Sequence, residues 1–168
     1  MGWLDILIWV VPPGIGVTLL WRWAERRIDR GRESVKEAMP RLIALGNRAP
    51  GPSLALELSN DGKGDALNVI VSLDGCDRTS PPLHRIPPGM RETTGQLFYN
   101  NSPIYLQALD NLRLYIRYQN KYGLPYKTEY RVAQQQRDDR RFNPQIEFAN
   151  PSFVEPSITL LKYFKLGR

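Results

Sequence analysis

The feature that most constrains this chain is the apolar run from Trp3 to Trp23, which reads WLDILIWVVPPGIGVTLLWRW. A helix needs about 20 mostly apolar residues to cross the hydrocarbon core of a bilayer. This run has that length, and its two charges, Asp5 and Arg22, lie close to its ends. We therefore expect residues 1–23 to form a transmembrane segment. A buried hairpin of a soluble protein is the alternative.

The composition of the run indicates how it packs. It contains every tryptophan of the protein, and aromatic rings of this kind favour the headgroup zone. Two adjacent prolines predict either a kinked helix or one that begins at the second proline. Small residues then allow a neighbouring helix to approach closely, although a lone kinked anchor stays open. The predicted membrane and helix-packing residues are Trp3, Trp9, Pro12, Pro13, Gly14, Gly16, Thr18, Trp21 and Trp23.

Basic residues follow the run and none precede it. Because positive charges remain on the cytoplasmic side, the N-terminus is expected outside and the rest of the chain inside, at the inner membrane of a cell. The residues expected to contact anionic lipid headgroups are Arg22, Arg26, Arg27 and Arg30. This location also explains the net charge of +6, and the chain lacks a nucleic-acid recognition signature, so we expect no nucleic-acid partner.

Residues 24–46 are predicted to continue as a juxtamembrane helix. Acids and bases recur there at helical spacing, and a narrow apolar stripe that includes Ile28 and Val35 is expected to dock on a partner or on the rest of the chain. Pro40 interrupts the pattern, so residues 42–46 are predicted to form a short closing turn. Residues 47–53, NRAPGPS, have the composition of a linker.

Short alternating apolar runs fill residues 54–133, separated by turns rich in Gly and Pro. The clearest are ALNVIVSL at 66–73 and LRLYIRY at 112–118, and residues 104–109 are predicted to form an edge strand. A Gly-containing loop at 120–124 predicts a β-hairpin. About seven such strands favour a mainly β fold, an antiparallel immunoglobulin-like (Ig-like) sandwich.

The turn chemistry of this region resembles that of small bacterial Ig-like domains on a single membrane helix. The resemblance rests on NDGKGDALNV at 60–69, IPPG at 86–89 and the hairpin at 118–126, and it covers residues 53–133. It implies a binding or spacer module. Because fold does not determine function, a particular role would have to be argued from the site itself.

Residues 134–168 are predicted to be an extension that ends in a short amphipathic helix capped by Ser157. Its apolar residues, among them Leu161 and Phe164, could lie on the membrane, dock on a partner or pack on the sandwich.

The residues that usually carry chemistry are scarce. The chain has one histidine, His84, and one cysteine, Cys76, so the usual zinc sets cannot form. No nucleophile elbow, phosphate loop or calcium loop occurs. We therefore predict no catalytic, cofactor or metal residues.

The sequence favours a non-catalytic accessory subunit of a larger membrane complex, photosynthetic or respiratory for example, whose cytoplasmic sandwich clamps neighbouring integral subunits. The alternative is a membrane-tethered adaptor or sensor that binds a soluble partner through a sheet edge. An enzyme of unrecognised type is a third possibility.

Overall fold

The computed structural model describes residues 13–47, 55–74, 80–95, 98–99, 102–103, 113–135 and 145–167. These residues form two compact units. One consists of the described residues up to Glu37 together with those from Ser157 onward, and the other extends from Ala38 to Pro156.

Two helices make up the first unit: α1, Pro13–Glu37, and α2, Leu160–Leu166. Proline is well suited to the first turn of a helix, where its missing N–H is not needed. The juxtamembrane helix predicted for residues 24–46 is wrong beyond Glu37, because Pro40 disfavours helical backbone just before it. The predicted Ser157 cap is also wrong, since Thr159 occupies the N-cap position and makes no side-chain cap bond.

The second unit contains all the described strands. In chain order they are β1 Leu42–Asn47, β2 Leu56–Asn60, β3 Ala66–Leu73, β4 Leu83–Ile86, β5 Arg91–Thr93, β6 Phe98–Tyr99, β7 Ser102–Pro103, β8 Arg113–Gln119, β9 Pro125–Gln135 and β10 Gln145–Val154. One sheet has the order β1-β2-β5 and another has the order β10-β9-β8-β3-β4, while β6 pairs with β7. Every pairing is antiparallel.

The mainly β, antiparallel fold is thus confirmed, but the predicted range of 54–133 was too narrow. Residues 42–46, predicted as a turn, belong to β1, which pairs with β2. The extension from residue 134 contributes β10, which pairs with β9. The predicted hairpin is present: β8 and β9 are joined at Gln119 and Pro125, and Gly123 has a φ of 68° that favours glycine.

Alternation along the strands produces the core of this unit. On β8, Leu114, Ile116 and Tyr118 are buried, whereas Arg113 and Arg117 are exposed. A strand places successive side chains on opposite faces, so this pattern buries one face of the five-stranded sheet. The largest fully buried side chains are Leu42, Leu56, Leu58, Ile86, Leu114, Ile116, Leu124, Val69 and Val71.

A ring of three hydrogen bonds joins β1 to the five-stranded sheet. Leu42 N donates to the Tyr118 hydroxyl at 3.4 Å, and the Thr128 hydroxyl donates to Leu42 O at 3.1 Å. Tyr118 and Thr128 lie 3.1 Å apart, and since Thr128 has already used its proton, Tyr118 donates to it. A neighbouring bond runs from Ala44 N to the Tyr130 hydroxyl at 2.8 Å. Side-chain hydroxyls thus satisfy β1 backbone groups that β2 does not pair.

Some predictions lie on residues outside the described ranges: the first half of the apolar run, Cys76, most of the 47–53 linker and the 104–109 edge strand. Among the described residues, no helix combines the length and the apolar character that a membrane span requires.

Candidate functional site

The N-terminal half of α1 exposes large apolar side chains on every side. Each residue from Val17 to Trp23 is exposed. The exposed fractions of Val17, Leu19, Leu20, Trp21 and Trp23 range from 49 to 72%. A helix that faces both water and a core normally carries one apolar stripe, whereas a helix that is apolar all round is covered by other material. These turns therefore form an apolar surface that favours contact with other apolar material. We call residues 17–21 the apolar turns.

Arginines follow the apolar turns directly. Arg22, Arg26 and Arg30 are exposed and repeat every four residues, which places them on one face of α1. Tryptophan rings at positions 21 and 23 occupy the same boundary. Aromatic rings with arginine beside an apolar helical segment are the arrangement found where a helix passes from hydrocarbon into the headgroup zone.

Arg27 has a different environment from the other predicted headgroup contacts. It is half-buried, and its Nε donates to Phe164 O at 3.0 Å. Its guanidinium lies 4.6 Å from the centre of the Phe164 ring and 5.3 Å from that of Trp23. The two rings meet edge to face with centres 5.5 Å apart. Arg27 is therefore a link between α1 and α2, a contact that sequence reasoning missed.

Glycines allow α1 and α2 to touch through their backbones. A Cβ placed on Gly31 would lie 1.9 Å from Tyr163 O, and one on Gly167 would lie 1.9 Å from Arg27 O. Neither position could carry a side chain without moving the other helix. Tyr163 is near Gly31 and Gly167 is near Arg27, so the chain runs antiparallel to α1 here. Gly31 lies between Ile28 and Val35 on the apolar stripe of the sequence, and this small residue was the available signal for the contact.

The other predicted packing and docking residues are distributed along both helices. Gly16 has nothing within 4 Å of the position a Cβ would take, and Thr18 is exposed. Ile28 is half-buried, Val35 is buried and Leu161 is exposed. Phe164, predicted to dock on a partner, is half-buried against α1. Trp3, Trp9 and Pro12 lie outside the described residues, and Pro13 and Gly14 are described as backbone of α1 alone.

Groups suited to catalysis do not converge in the described part of the chain. No three His, Cys, Asp or Glu side chains there come close enough to hold a metal ion, and His84 is exposed on β4. Burial raises the pKa of Tyr118, and it raises the pKa of Tyr130 to about 12. Both phenols hold β1 in place, so their perturbed pKa values have a structural cause.

Comparison with known proteins returned no match to this chain among family models, curated sequences or solved structures.

Proposed function

We propose that this protein is a membrane-anchored, non-catalytic accessory subunit of a larger membrane complex. The observation that carries the proposal is the set of apolar turns at residues 17–21, exposed on all sides and followed at once by Arg22, Arg26 and Arg30. A protein partner would leave some face of these turns in water, whereas lipid covers all faces equally. The apolar sequence that continues toward the N-terminus supports the same choice.

In this proposal residues 3–23 enter the bilayer, and the arginines bind anionic headgroups on the cytoplasmic side. The β unit, which has the Ig-like sandwich character that the turn motifs suggest, lies in the cytoplasm and contacts neighbouring integral subunits. Gly16, whose surroundings are open, would let a second membrane helix approach α1.

Membrane anchoring is tested by flotation of the full chain with vesicles of neutral lipid and with vesicles that also contain an anionic lipid. We expect the wild type to float with both and more completely with the anionic vesicles. Leu20→Glu places a carboxylate among the apolar turns, which costs up to about 2–3 kcal/mol in a membrane and less toward the headgroup boundary at Trp21, so it should reduce the bound fraction. Leu45→Glu makes the same change at an exposed leucine of β1 and should float like the wild type. Equal flotation of both variants would contradict the proposal.

Membership of a larger complex is tested by mass spectrometry of the proteins that co-purify with the chain from gently solubilised membranes. Integral proteins in a fixed ratio are expected. Recovery of the chain alone would contradict the proposal, and a soluble protein as the recurrent companion would favour the tethered adaptor instead.

A further inference from the structure

The outer face of the five-stranded sheet carries a cluster of cations. On β8 and β9 the buried residues alternate with Arg113, Arg117, Lys127 and Arg131, which therefore share the face opposite the core. We call these four residues the basic face. The same face carries one acidic residue, Glu129, which lies opposite Tyr115, so the four cations leave this face with a net positive charge.

The strand register places these cations in directly opposite pairs. Arg113 faces Arg131, and Arg117 faces Lys127. Opposed side chains on an antiparallel pair have Cβ atoms about 5 Å apart, and like charges at that distance destabilise the pairing. The two opposed pairs therefore work against the stability of the sheet, and a partner with the opposite charge would offset that cost.

Among the residues that the structure describes, one of these four cations has an acidic partner. Lys127 Nζ contacts Glu129 Oε1 and lies 4.1 Å from the centre of the Tyr115 ring. Arg113, Arg117 and Arg131 are exposed, and no acidic side chain of the described residues forms an ion pair with them. Three guanidinium groups are thus left for a ligand, and a guanidinium binds carboxylates in a two-pronged geometry.

A groove of about 520 Å³ adjoins the basic face and is lined by residues of β3, β8, β9 and the end of β10. Arg117 and Lys127 line it, together with the apolar side chains of Ile70 and Val154 and with Glu155. Cavities of this size can hold a side chain or a small ligand. The groove thus offers apolar surface next to the opposed cations.

We propose that the basic face and this groove bind an acidic segment of a partner protein, with carboxylates on the arginines and an apolar side chain in the groove. The proposal rests on the function proposed above, since it names the chemistry of a neighbouring subunit. Nucleic acid is less suitable because Tyr115, the aromatic ring on this face, is already covered by Lys127 and is not free to stack on a base. A flat bilayer would not fill a groove.

The test measures the fluorescence anisotropy of a labelled peptide made of glutamate, leucine and proline, mixed with the full chain in non-ionic detergent. The control probe has glutamine in place of every glutamate. We expect saturable binding of the acidic probe that weakens with salt. The triple variant Arg113→Gln, Arg117→Gln, Arg131→Gln should raise Kd by about tenfold or more, because exposed charge pairs contribute modestly but add up. Lys63→Gln with Lys121→Gln removes exposed cations elsewhere in the β unit and should leave Kd unchanged.

Thermal unfolding separates loss of binding from loss of fold. Because the triple variant removes opposed like charges, its Tm should equal or exceed that of the wild type. Equal binding of the glutamine probe, unchanged binding by the triple variant, or tighter binding of a single-stranded oligonucleotide would each overturn the proposal. Leu20→Glu should leave peptide binding intact, so failure of the membrane anchor and failure of this site are distinguishable.

Discussion

Replacing Asn60 with alanine should strongly destabilise the β unit. The Asn60 side chain is fully buried and makes four hydrogen bonds with the backbone. Its Oδ1 accepts from Arg41 N at 3.1 Å and from Gly62 N at 3.0 Å, and its Nδ2 donates to Gly64 O at 2.9 Å and to Ile86 O at 2.8 Å. One side chain thus ties the entry to β1, the turn after β2 and the end of β4 together.

The expected decrease in the free energy of unfolding is the sum of the contributions that the backbone groups lose when their hydrogen bonds to Asn60 are removed. Ile86 is buried, so its carbonyl would be left unpaired at a cost of about 1–3 kcal/mol. The groups of Arg41, Gly62 and Gly64 are partly accessible to water and should lose about 0.5–1.5 kcal/mol each. The sum is roughly 2.5–7.5 kcal/mol, a large part of the roughly 5–15 kcal/mol that stabilises a typical domain.

Urea unfolding followed by far-ultraviolet circular dichroism is the suitable assay. Tryptophan fluorescence is not, because every tryptophan lies between Trp3 and Trp23 and none is in the β unit. With a slope of about 1–3 kcal/mol per molar, Asn60→Ala should lower the midpoint by about 2 M. Gln119→Ala, which truncates an exposed amide on β8, should change it little. A shift for Asn60→Ala no larger than that of Gln119→Ala would refute the reasoning.

Asn60→Asp supplies a second check because it keeps the acceptors and loses the donors. An ionised carboxylate at this position would face two carbonyls, and burial would raise the pKa of the new side chain in the folded state. A raised folded pKa means that stability is present at low pH and is lost as pH rises through that pKa. This variant should therefore become more stable relative to the wild type as the pH falls from 7 to about 5, and the opposite trend would count against the account.

Two further predictions concern other parts of the chain. Gly31→Ala should separate α2 from α1, since its Cβ would lie 1.9 Å from Tyr163 O, and limited proteolysis should then release the C-terminal residues faster; Gly16→Ala, with nothing within 4 Å, should have no such effect. Faster release from both variants, or from neither, would contradict the helix contact. The pKa of Tyr130 is raised to about 12, so the folded state holds its proton more tightly and stability should fall by on the order of 2–3 kcal/mol between pH 10 and 12. Tyr130→Phe should remove that component of the pH dependence in urea titrations, whereas Tyr122→Phe, a change in the hairpin loop, should keep it.

Local patterns were sufficient for part of the β unit. The strand predicted at residues 66–73 coincides with β3, and the hairpin between β8 and β9 has the predicted loop. In both cases the alternation of apolar residues and the turn chemistry lie within one short stretch of sequence. No distant residue is needed to find them.

The missed strands depend on distant residues. β1 has little alternation, and its backbone groups at Leu42 and Ala44 are satisfied by hydroxyls of Tyr118, Thr128 and Tyr130, which lie 76 to 86 positions away. β10 contains Asn150 followed by a proline, a pair that usually marks a turn. Here the register shifts between Ala149 and Ser152, and β10 is at the end of its sheet. An irregular edge strand tolerates a proline that a central strand would not.

The apolar turns and the basic face differ in how much of each could be predicted from the sequence. The apolar turns are contiguous, so hydropathy alone predicted a membrane role for them, although Arg27 turned inward to α2. The basic face needs one further step, because the register of the predicted hairpin, and not the order of residues along either strand, places Arg113 opposite Arg131. A pattern of like charges carries little information until the pairing is known.

The apolar turns and the basic face both lower the stability or solubility of the isolated protein. This shared property is the strongest reason to assign them a function. Exposed apolar turns favour aggregation, and opposed arginines weaken a sheet. The two features lie in separate units and involve different forces, so their effects should be independent. A chain with Leu20→Glu and Arg117→Gln together should lose vesicle binding as much as the first variant alone and peptide binding as much as the second alone. If either loss were larger in the combined variant, the two surfaces would be parts of one interface, and the separate roles assigned to them would be wrong.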